Sequence, residues 1–510
     1  MKRSRYIVYA LLAAWLPAAP ACTGARVVPT AATQPAHHLF TDRYRVTVGG
    51  TELPVEAYKD IFYVHFTLDG SAPVRIEAAE PLTSCEVSPA ARGIAAGIEG
   101  REARFTLPGA GWWAVRLNDR DRLFLLADRP QEPALGEQPL NAADFISGDG
   151  LQTAALQRAL DEASATGRTL LFPRGVYRTG TLRIGSNTHL YLADGAIIKG
   201  SEDRDDYPTD HGLAEADHIR DREHYTDNGE RMTFSRLILI DSAEHVSIRG
   251  RGIIDGSGAV LRAQGKPANL IRIRSSRDVL VEGVLLRDPA AWNTHIHCSE
   301  DVTIRDVKII NDASVPNTDG FDPDASTDVT IEHCFAYCSD DNVAVKTTGN
   351  LGLNRDLRGI VVRGCVFLTR KSSLKVGTET KAARMSDILF EDNDVVECDR
   401  ALALYCNDGA LFEHIVFANN RIERNWPDSQ RRPIHFKISE RHGKGLIRDV
   451  EIRDCSFAVP FPRPAEIAGL DAEHTIDGVT FRNVTIGGRP VRSLEELGAR
   501  IRFTENIRFE

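Results

Sequence analysis

A short apolar phrase recurs along the second half of the chain. It reads Val246-Ser247-Ile248, Val279-Leu280-Val281, Val302-Thr303-Ile304, Val329-Thr330-Ile331, Ile360-Val361-Val362, Ile388-Leu389-Phe390, Ile415-Val416-Phe417, Val450-Glu451-Ile452 and Val479-Thr480-Phe481, with starts 23 to 35 residues apart. Each phrase alternates inward apolar and outward residues, as a half-buried strand does. Such a unit, repeated with variable insertions, fits one coil of a parallel β-helix whose loops absorb the length changes. Two more columns support this register. Five residues past successive starts lie Val284, Val307, Cys334, Cys365, Asn393, Asn420, Cys455 and Val484; seven past lie Leu286, Ile309, Ala336, Phe367, Val395, Ile422, Phe457 and Ile486. Both predict inward stacks with one residue per coil.

The pattern differs upstream. From Tyr44 to Ala127 short alternating runs such as Arg45-Val46-Thr47-Val48 and Trp113-Ala114-Val115-Arg116-Leu117 are punctuated by Gly, Asn and Pro, which predicts a small antiparallel β-sandwich. A Pro-rich link follows. Gly148-Asp149-Gly150 then precedes an amphipathic helix with Leu151, Ala155, Leu156, Leu160 and Ala163 on one face. That helix is expected to cover the open ladder edge of the first coil. The predicted fold class is all-β: a right-handed parallel β-helix over residues 140–490, preceded by a β-sandwich over 41–130 and closed by a C-terminal cap over 491–510.

The N-terminus reads as an export signal over residues 1–22. Lys2, Arg3 and Arg5 form a basic start, Tyr6 to Leu16 an apolar stretch, and Ala19-Pro20-Ala21 a small-residue cleavage pattern. The apolar run is too short to span a bilayer, so no membrane span is expected. Cys22, directly after Ala21, offers a second reading in which it carries a lipid anchor. Residues 23–40, rich in Ala, Pro and Thr, read as a linker. The protein is thus expected to be exported, periplasmic or extracellular, free or lipid-anchored. With 510 residues, 42% of them hydrophobic, the chain affords a large core. Its formal net charge of −10 argues against a nucleic-acid partner held by bulk electrostatics. Three of the nine cysteines fall in one inward stack with two asparagines. That suits small buried turn residues better than a disulfide framework. Cys334 and Cys338 have no matching histidine pair, so no zinc site is expected.

Two acidic phrases stand out: Asn317-Thr318-Asp319-Gly320 and Ser339-Asp340-Asp341-Asn342. Asp340 and Asp341 follow Asp319 by 21 and 22 residues, slightly under one coil. Residues one coil apart stack at about 4.8 Å, so these carboxylates are expected to converge. Treating His295-Ile296-His297, Val343-Ala344-Val345, Leu374-Lys375-Val376, Leu402-Ala403-Leu404 and Ile434-His435-Phe436 as equivalent strands places Asn293, Asp319, Asp341, Ser372, Arg400 and Arg432 in one stripe. Stacked like charges cost energy, and a carboxylate cluster raises at least one pKa, which allows one acid to stay protonated while another serves as base. Asp322, Asp324 and Asp328 read instead as turn residues.

At these residues the chain resembles glycoside hydrolase family 28, the polygalacturonase-like enzymes. Asn317-Thr318-Asp319, Asp340-Asp341 and Lys346 match its phrases, and Trp292, His295, Gly175-Val176-Tyr177 and Gly195-Ala196 are similar to its upstream pattern. The resemblance implies inverting hydrolysis of a polysaccharide or oligosaccharide without metal or other cofactor, with Asp340 as general acid and Asp319 and Asp341 activating water. Asn293, His295, Asn317, Lys346, Ser372, Lys375, Arg400 and Arg432 are the candidate substrate-binding residues. Two places depart from the family. Lys371-Ser372-Ser373 stands where the family has Gly-His-Gly, and Ala401-Leu402-Ala403-Leu404-Tyr405 where its Arg-x-Lys pair falls. Either Lys375, Arg400, Arg432 or Lys437 supplies a cation for a uronic acid, or the sugar is neutral. The layout is also similar to family 49, the dextranase and isopullulanase enzymes. A calcium-dependent polysaccharide lyase and a non-catalytic carbohydrate-binding solenoid remain as alternatives. Inverting enzymes typically separate their carboxyl groups by about 6.5–9.5 Å, so side-chain directions are expected to widen the gap beyond one coil step.

Overall fold

A computed structural model describes residues 25–30, 39–208, 235–426 and 431–510. The expected signal and Cys22 lie outside the described residues, as do most of the expected linker and residues 209–234 and 427–430. Among the described residues no helix is long and apolar enough to cross a membrane.

Three sheets of 13, 12 and 11 strands, parallel except for the last, antiparallel pair of the second (Thr485–Ile486 with Arg489–Pro490), wind together as a right-handed β-helix. Each coil runs from a strand of the first sheet to one of the second and then the third, as in Arg277–Glu282, Leu285–Arg287 and Thr294–His297. The repeated phrase forms the first sheet. Val246, Val279, Val302, Val329, Ile360, Ile388, Ile415, Val450 and Val479 pair in unbroken succession. Leu286 through Ile486 do the same in the second sheet.

One column explains why the phrase turns where it does. Four residues past the phrase starts lie Gly250, Gly283, Asp306, His333, Gly364, Asp392, Asn419, Asp454 and Asn483, all with positive φ. The left-handed conformation favours Gly and, among L-residues, Asn, Asp and His. The next residue turns inward and builds a hydrogen-bonded ladder. Cys365 Sγ accepts from the Cys334 N–H at 3.3 Å, Asn393 Oδ1 from the Cys365 N–H at 3.0 Å, and Asn420 Oδ1 from the Asn393 N–H at 3.2 Å. Cys334, Cys365 and Cys455 therefore serve as buried turn residues, and the eight cysteines among the described residues are free.

Helix Thr153–Thr166 covers the open end, burying Leu156, Ala159, Leu160 and Ala163 and ending at Gly167 in the left-handed conformation. Leu151, expected on its buried face, is 49% exposed because it precedes the helix. At the other end, residues expected as a separate cap continue the ladder. Ala499–Arg502 and Thr504–Phe509 add the last strands of the third and first sheets.

The N-terminal region forms two packed sheets of seven and five strands. Arg26–Pro29, within the expected linker, pairs antiparallel with Ile61–Asp69. The stretch is short, and it becomes a strand by pairing with Phe66–Asp69, the part of Ile61–Asp69 that Glu56–Tyr58 leaves free. The sandwich docks on the outer face of the second sheet. Tyr58, Tyr63, Trp112, Phe124 and Leu126 pack with Leu285, Ile310, Phe335, Tyr337 and Val366 in one buried cluster. A buried ion network crosses the interface. The Arg287 Nε donates to Asp255 at 2.6 Å and its Nη1 to the Tyr63 hydroxyl at 2.6 Å.

Candidate active site

Asp319, Asp340 and Asp341 lie in the turns that lead from the second sheet into the third. Asp319 precedes strand Phe321–Asp324, and Asp340-Asp341 precede strand Val343–Thr347. The Gly320 N–H donates to the Asp341 carbonyl at 2.9 Å, locking the turns one above the other. Gly320 is required there, since a Cβ would stand 2.5 Å from the Asn342 carbonyl oxygen. As a result one carboxylate oxygen of each aspartate lies within 4.8 Å of the others. The side chains thus converge on one point rather than splaying along the coil axis. Asp319 and Asp341 are 3% and 2% exposed, whereas Asp340 is half-buried and marks the opening to solvent.

The electrostatics divide the three. Burial, with Asp319 and Asp341 adding to it, pushes the Asp340 carboxyl up to about 7. Burial also acts on Asp341, but Lys375 and Arg400 outweigh it and bring that group down to about 2. The Ser372 N–H donates to Asp341 Oδ1 at 2.8 Å, and the Lys375 ammonium donates to Oδ2. Asp319 shares a single ammonium with Asp322: Lys346 Nζ stands 3.0 Å from Asp319 and 2.8 Å from Asp322. One cation cannot fully compensate two buried carboxylates, and burial raises both, Asp322 to about 6. Lys346, Lys375 and Arg400 thus supply the positive charge around the cluster.

The stripe needs one correction. Thr294, not His295, pairs with Phe321, which pairs with Val343. In His295-Ile296-His297 only the central residue faces inward, so the phase is opposite to that of Val343-Ala344-Val345, and a slip of one residue exchanges the faces. The stripe therefore runs Trp292, Asp319, Asp341, Ser372, Arg400 and Arg432. Asn293 lies in the interior column instead, fully buried, its Nδ2 donating to Asn311 at 3.0 Å. Trp292 takes its place, and its ring centroid lies 3.8 Å from Lys346 Nζ.

The other expected binding residues fall into two groups. Lys346, Ser372, Lys375 and Arg400 surround the aspartates. His295 is near but 1% exposed, with Nε2 at 2.9 Å from Asp324 and its ring edge-on to Trp292. Burial lowers it to about 3, so it supports the floor as a neutral ring. Asn317 is exposed and accepts from Arg262 Nη2 at 2.9 Å on the rim. Arg432 is held by Glu466 at 2.7 Å and donates to the Pro464 carbonyl at 2.8 Å. Asp328, expected as a turn residue, is the second residue of strand Thr327–Glu332, where it takes a left-handed φ of 55°. Asp322 and Asp324 are not turn residues either, for both are buried and outward on Phe321–Asp324. Asp-Pro-Asp does not read as a strand, and only the neighbouring coils pair it as one.

Two residues went unread. Tyr405, 8% exposed, hydrogen-bonds His435 at 2.7 Å. Glu379 sits on a bulge where Thr380, not the next residue in register, pairs with Thr347. Burial raises the Glu379 carboxyl, but Lys346, Lys375 and Arg441 together hold it below its ordinary value. No periodic signal reveals a bulge.

Residues 220–424 match the glycosyl hydrolases family 28. A "Probable polygalacturonase" of Vitis vinifera is 31% identical over 263 residues, which cover 48% of this chain and 52% of that one. The chain thus spans about half the length of this curated relative. Among solved structures, an exopolygalacturonase from Thermotoga maritima superposes with a TM-score of 0.55 at 20% identity, covering 74% of this chain and 93% of that one. Dex49A from Penicillium minioluteum superposes at 0.61 and 12% identity, covering 94% and 96%. Both share the fold. The Asn-Thr-Asp and Asp-Asp turns, stacked one coil apart, both lie inside the region that matches this family.

Proposed function

We propose that this protein hydrolyses a glycosidic bond of a pectin-like polysaccharide or oligosaccharide by direct attack of water, with inversion. The observation that carries the reading is the division of proton affinity within one cluster. Asp340 holds a proton near neutral pH at the open side, while Asp341 stays ionised beneath it. In this mechanism Asp340 protonates the leaving oxygen as water attacks the anomeric carbon and gives its proton to the carboxylates behind. The alternative is a covalent route, which uses carboxyl groups about 5–5.5 Å apart. Asp341 is a poor nucleophile for that route. Each of its oxygens already accepts a hydrogen bond, yet a carboxylate has about four lone-pair sites, enough to orient a water. The similarity to polygalacturonases supports a uronic-acid polymer.

A neutral α-glucan is the second reading. It is favoured by one observation: the site ammonium groups of Lys346 and Lys375, and the guanidinium of Arg432, are engaged by the protein's own carboxylates. Incubation with polygalacturonate, dextran and pullulan separates the two, and NMR of the first anomer released tests inversion. Asp340→Asn is expected to lower kcat on the preferred polymer by about 10²–10⁴-fold; near-normal turnover would remove its acid role. Absorbance from an unsaturated product would mark a lyase instead. We further infer that the protein is exported through its first 22 residues, and the mass of the mature N-terminus distinguishes a free form from one lipidated at Cys22.

A further inference from the structure

Lys375 stands where the site would otherwise offer a cation to the substrate, yet it faces the protein. It lies on strand Ser372–Thr380, one coil after Ala344, with 8% exposure. Its Nζ donates to Asp341 Oδ2, while the Ser372 N–H from the same strand holds Oδ1. Both oxygens of Asp341 are thus oriented by one strand. Asp319 has no such private partner, since Lys346 divides between it and Asp322. The charged groups around Asp341 are Asp319 and Asp322 on the coil before, Asp340 and Lys346 on its own coil, Lys375 and Glu379 on the next, and Arg400 with Tyr405 beyond.

Resting on the hydrolase reading, we propose that Lys375 is a positioning residue whose ion pair with Asp341 reserves that carboxylate, rather than Asp319, as the acceptor of the proton from the attacking water. In the step, the water oxygen bonds to the anomeric carbon and its proton passes to Asp341. The glycosidic bond breaks, and its oxygen takes the proton of Asp340. Lys375 neither gains nor loses a proton. The pair keeps Asp341 ionised and so able to accept: burial opposes ionisation, and the Lys375 ammonium, with Arg400, outweighs burial.

The test compares Lys375→Met, which keeps the stem without charge, with Lys375→Arg, which keeps charge. Lys375→Met is expected to lower kcat by about 10²-fold, in the range of a general base, with KM within about twofold, and to move the acid limb of the kcat/KM profile upward. Lys375→Arg should return that limb toward wild type. In an Asp341→Asn background, where no carboxylate remains to be positioned, Lys375→Met should change kcat by less than about twofold, since the two act as one unit. This double variant also lacks the stranded buried charge, so it keeps the comparison valid should the single variant fold poorly. A rise in KM with an unmoved acid limb would overturn the proposal and make Lys375 a substrate contact. Equal losses of kcat in both backgrounds would also overturn it. A carbon-13 titration of the aspartate carboxyls, with Asp341 assigned by its Asn variant, reads the same pair without turnover. If wild type cleaves no glycan, the hydrolase reading fails, while an Asp341 signal that titrates alike in wild type and Lys375→Met refutes the pairing role by itself.

Discussion

At the scale of single residues, the site works by giving chemically identical groups different surroundings. Three aspartates stand within one cluster, and their proton affinities part because one is half-buried beside two like charges while another has a private ammonium. Asp340, raised from 3.8 to about 7, holds its proton more tightly in the folded state than in the unfolded chain. Its ionisation therefore costs stability, which is lost as pH rises from about 4 through about 7. Asp340→Asn escapes that loss. In thermal melts the variant is expected to match wild type near pH 4 and to exceed it at pH 8; a constant offset across this range would refute the raised value. Wild-type kcat/KM should fall above about pH 7 as the acid is lost, with a limb that belongs to the coupled cluster. The aspartates were legible in the sequence because their spacing is close to one coil. Trp292 and Asn293 were exchanged because three residues, His-Ile-His, carry too little hydrophobic contrast to fix the phase of a strand.

At the scale of elements, the coil is defined by what its turn residues can do. The left-handed position after each phrase is filled by Gly, Asn, Asp or His, and in the coils from Cys334 to Cys455 the inward residue that follows bridges successive backbones through a small side chain. Asn420 does this fully: its Nδ2 donates to the Phe390 carbonyl at 2.9 Å, and its Oδ1 accepts from Asn393. Asn420→Leu leaves those buried groups without partners and is expected to cost about 1–3 kcal/mol. Asn420→Cys should cost less, because the same column already holds Cys334, Cys365 and Cys455. Denaturant midpoints for the two variants check the order, and equal losses would show that volume rather than bridging governs the column. The bulge that carries Glu379 belongs to this scale too. It inserts residues between Val376 and Thr380 without disturbing the phrases on either side, so it left the repeat pattern intact and went unseen.

At the scale of the whole molecule, the sandwich buttresses the second sheet, the one that feeds the catalytic turns. Lys59 of the sandwich pairs with Asp312 at 3.2 Å, and Asp60 accepts from the Tyr337 hydroxyl at 2.7 Å. Deeper in the interface Arg287 is fully buried among Asp255, Tyr63 and Glu56. Removing one member of such a network strands the others and typically costs about 3–5 kcal/mol. Arg287→Ala is therefore expected to destabilise the chain strongly and to separate the melting of the sandwich from that of the coils in calorimetry. A single transition with an unchanged midpoint would mean the network contributes nothing to docking.

The sequence alone determined the solenoid, its register in two of three sheets, the sandwich before it and the three acids, because each depends on a period or an alternation repeated often enough to outweigh local noise. Tertiary structure alone decided which of those acids keeps its proton, which lysines remain for a substrate, and where the sandwich sits. Those outcomes depend on distances across coils and on burial from all sides, and neither is written in the order of residues along one strand.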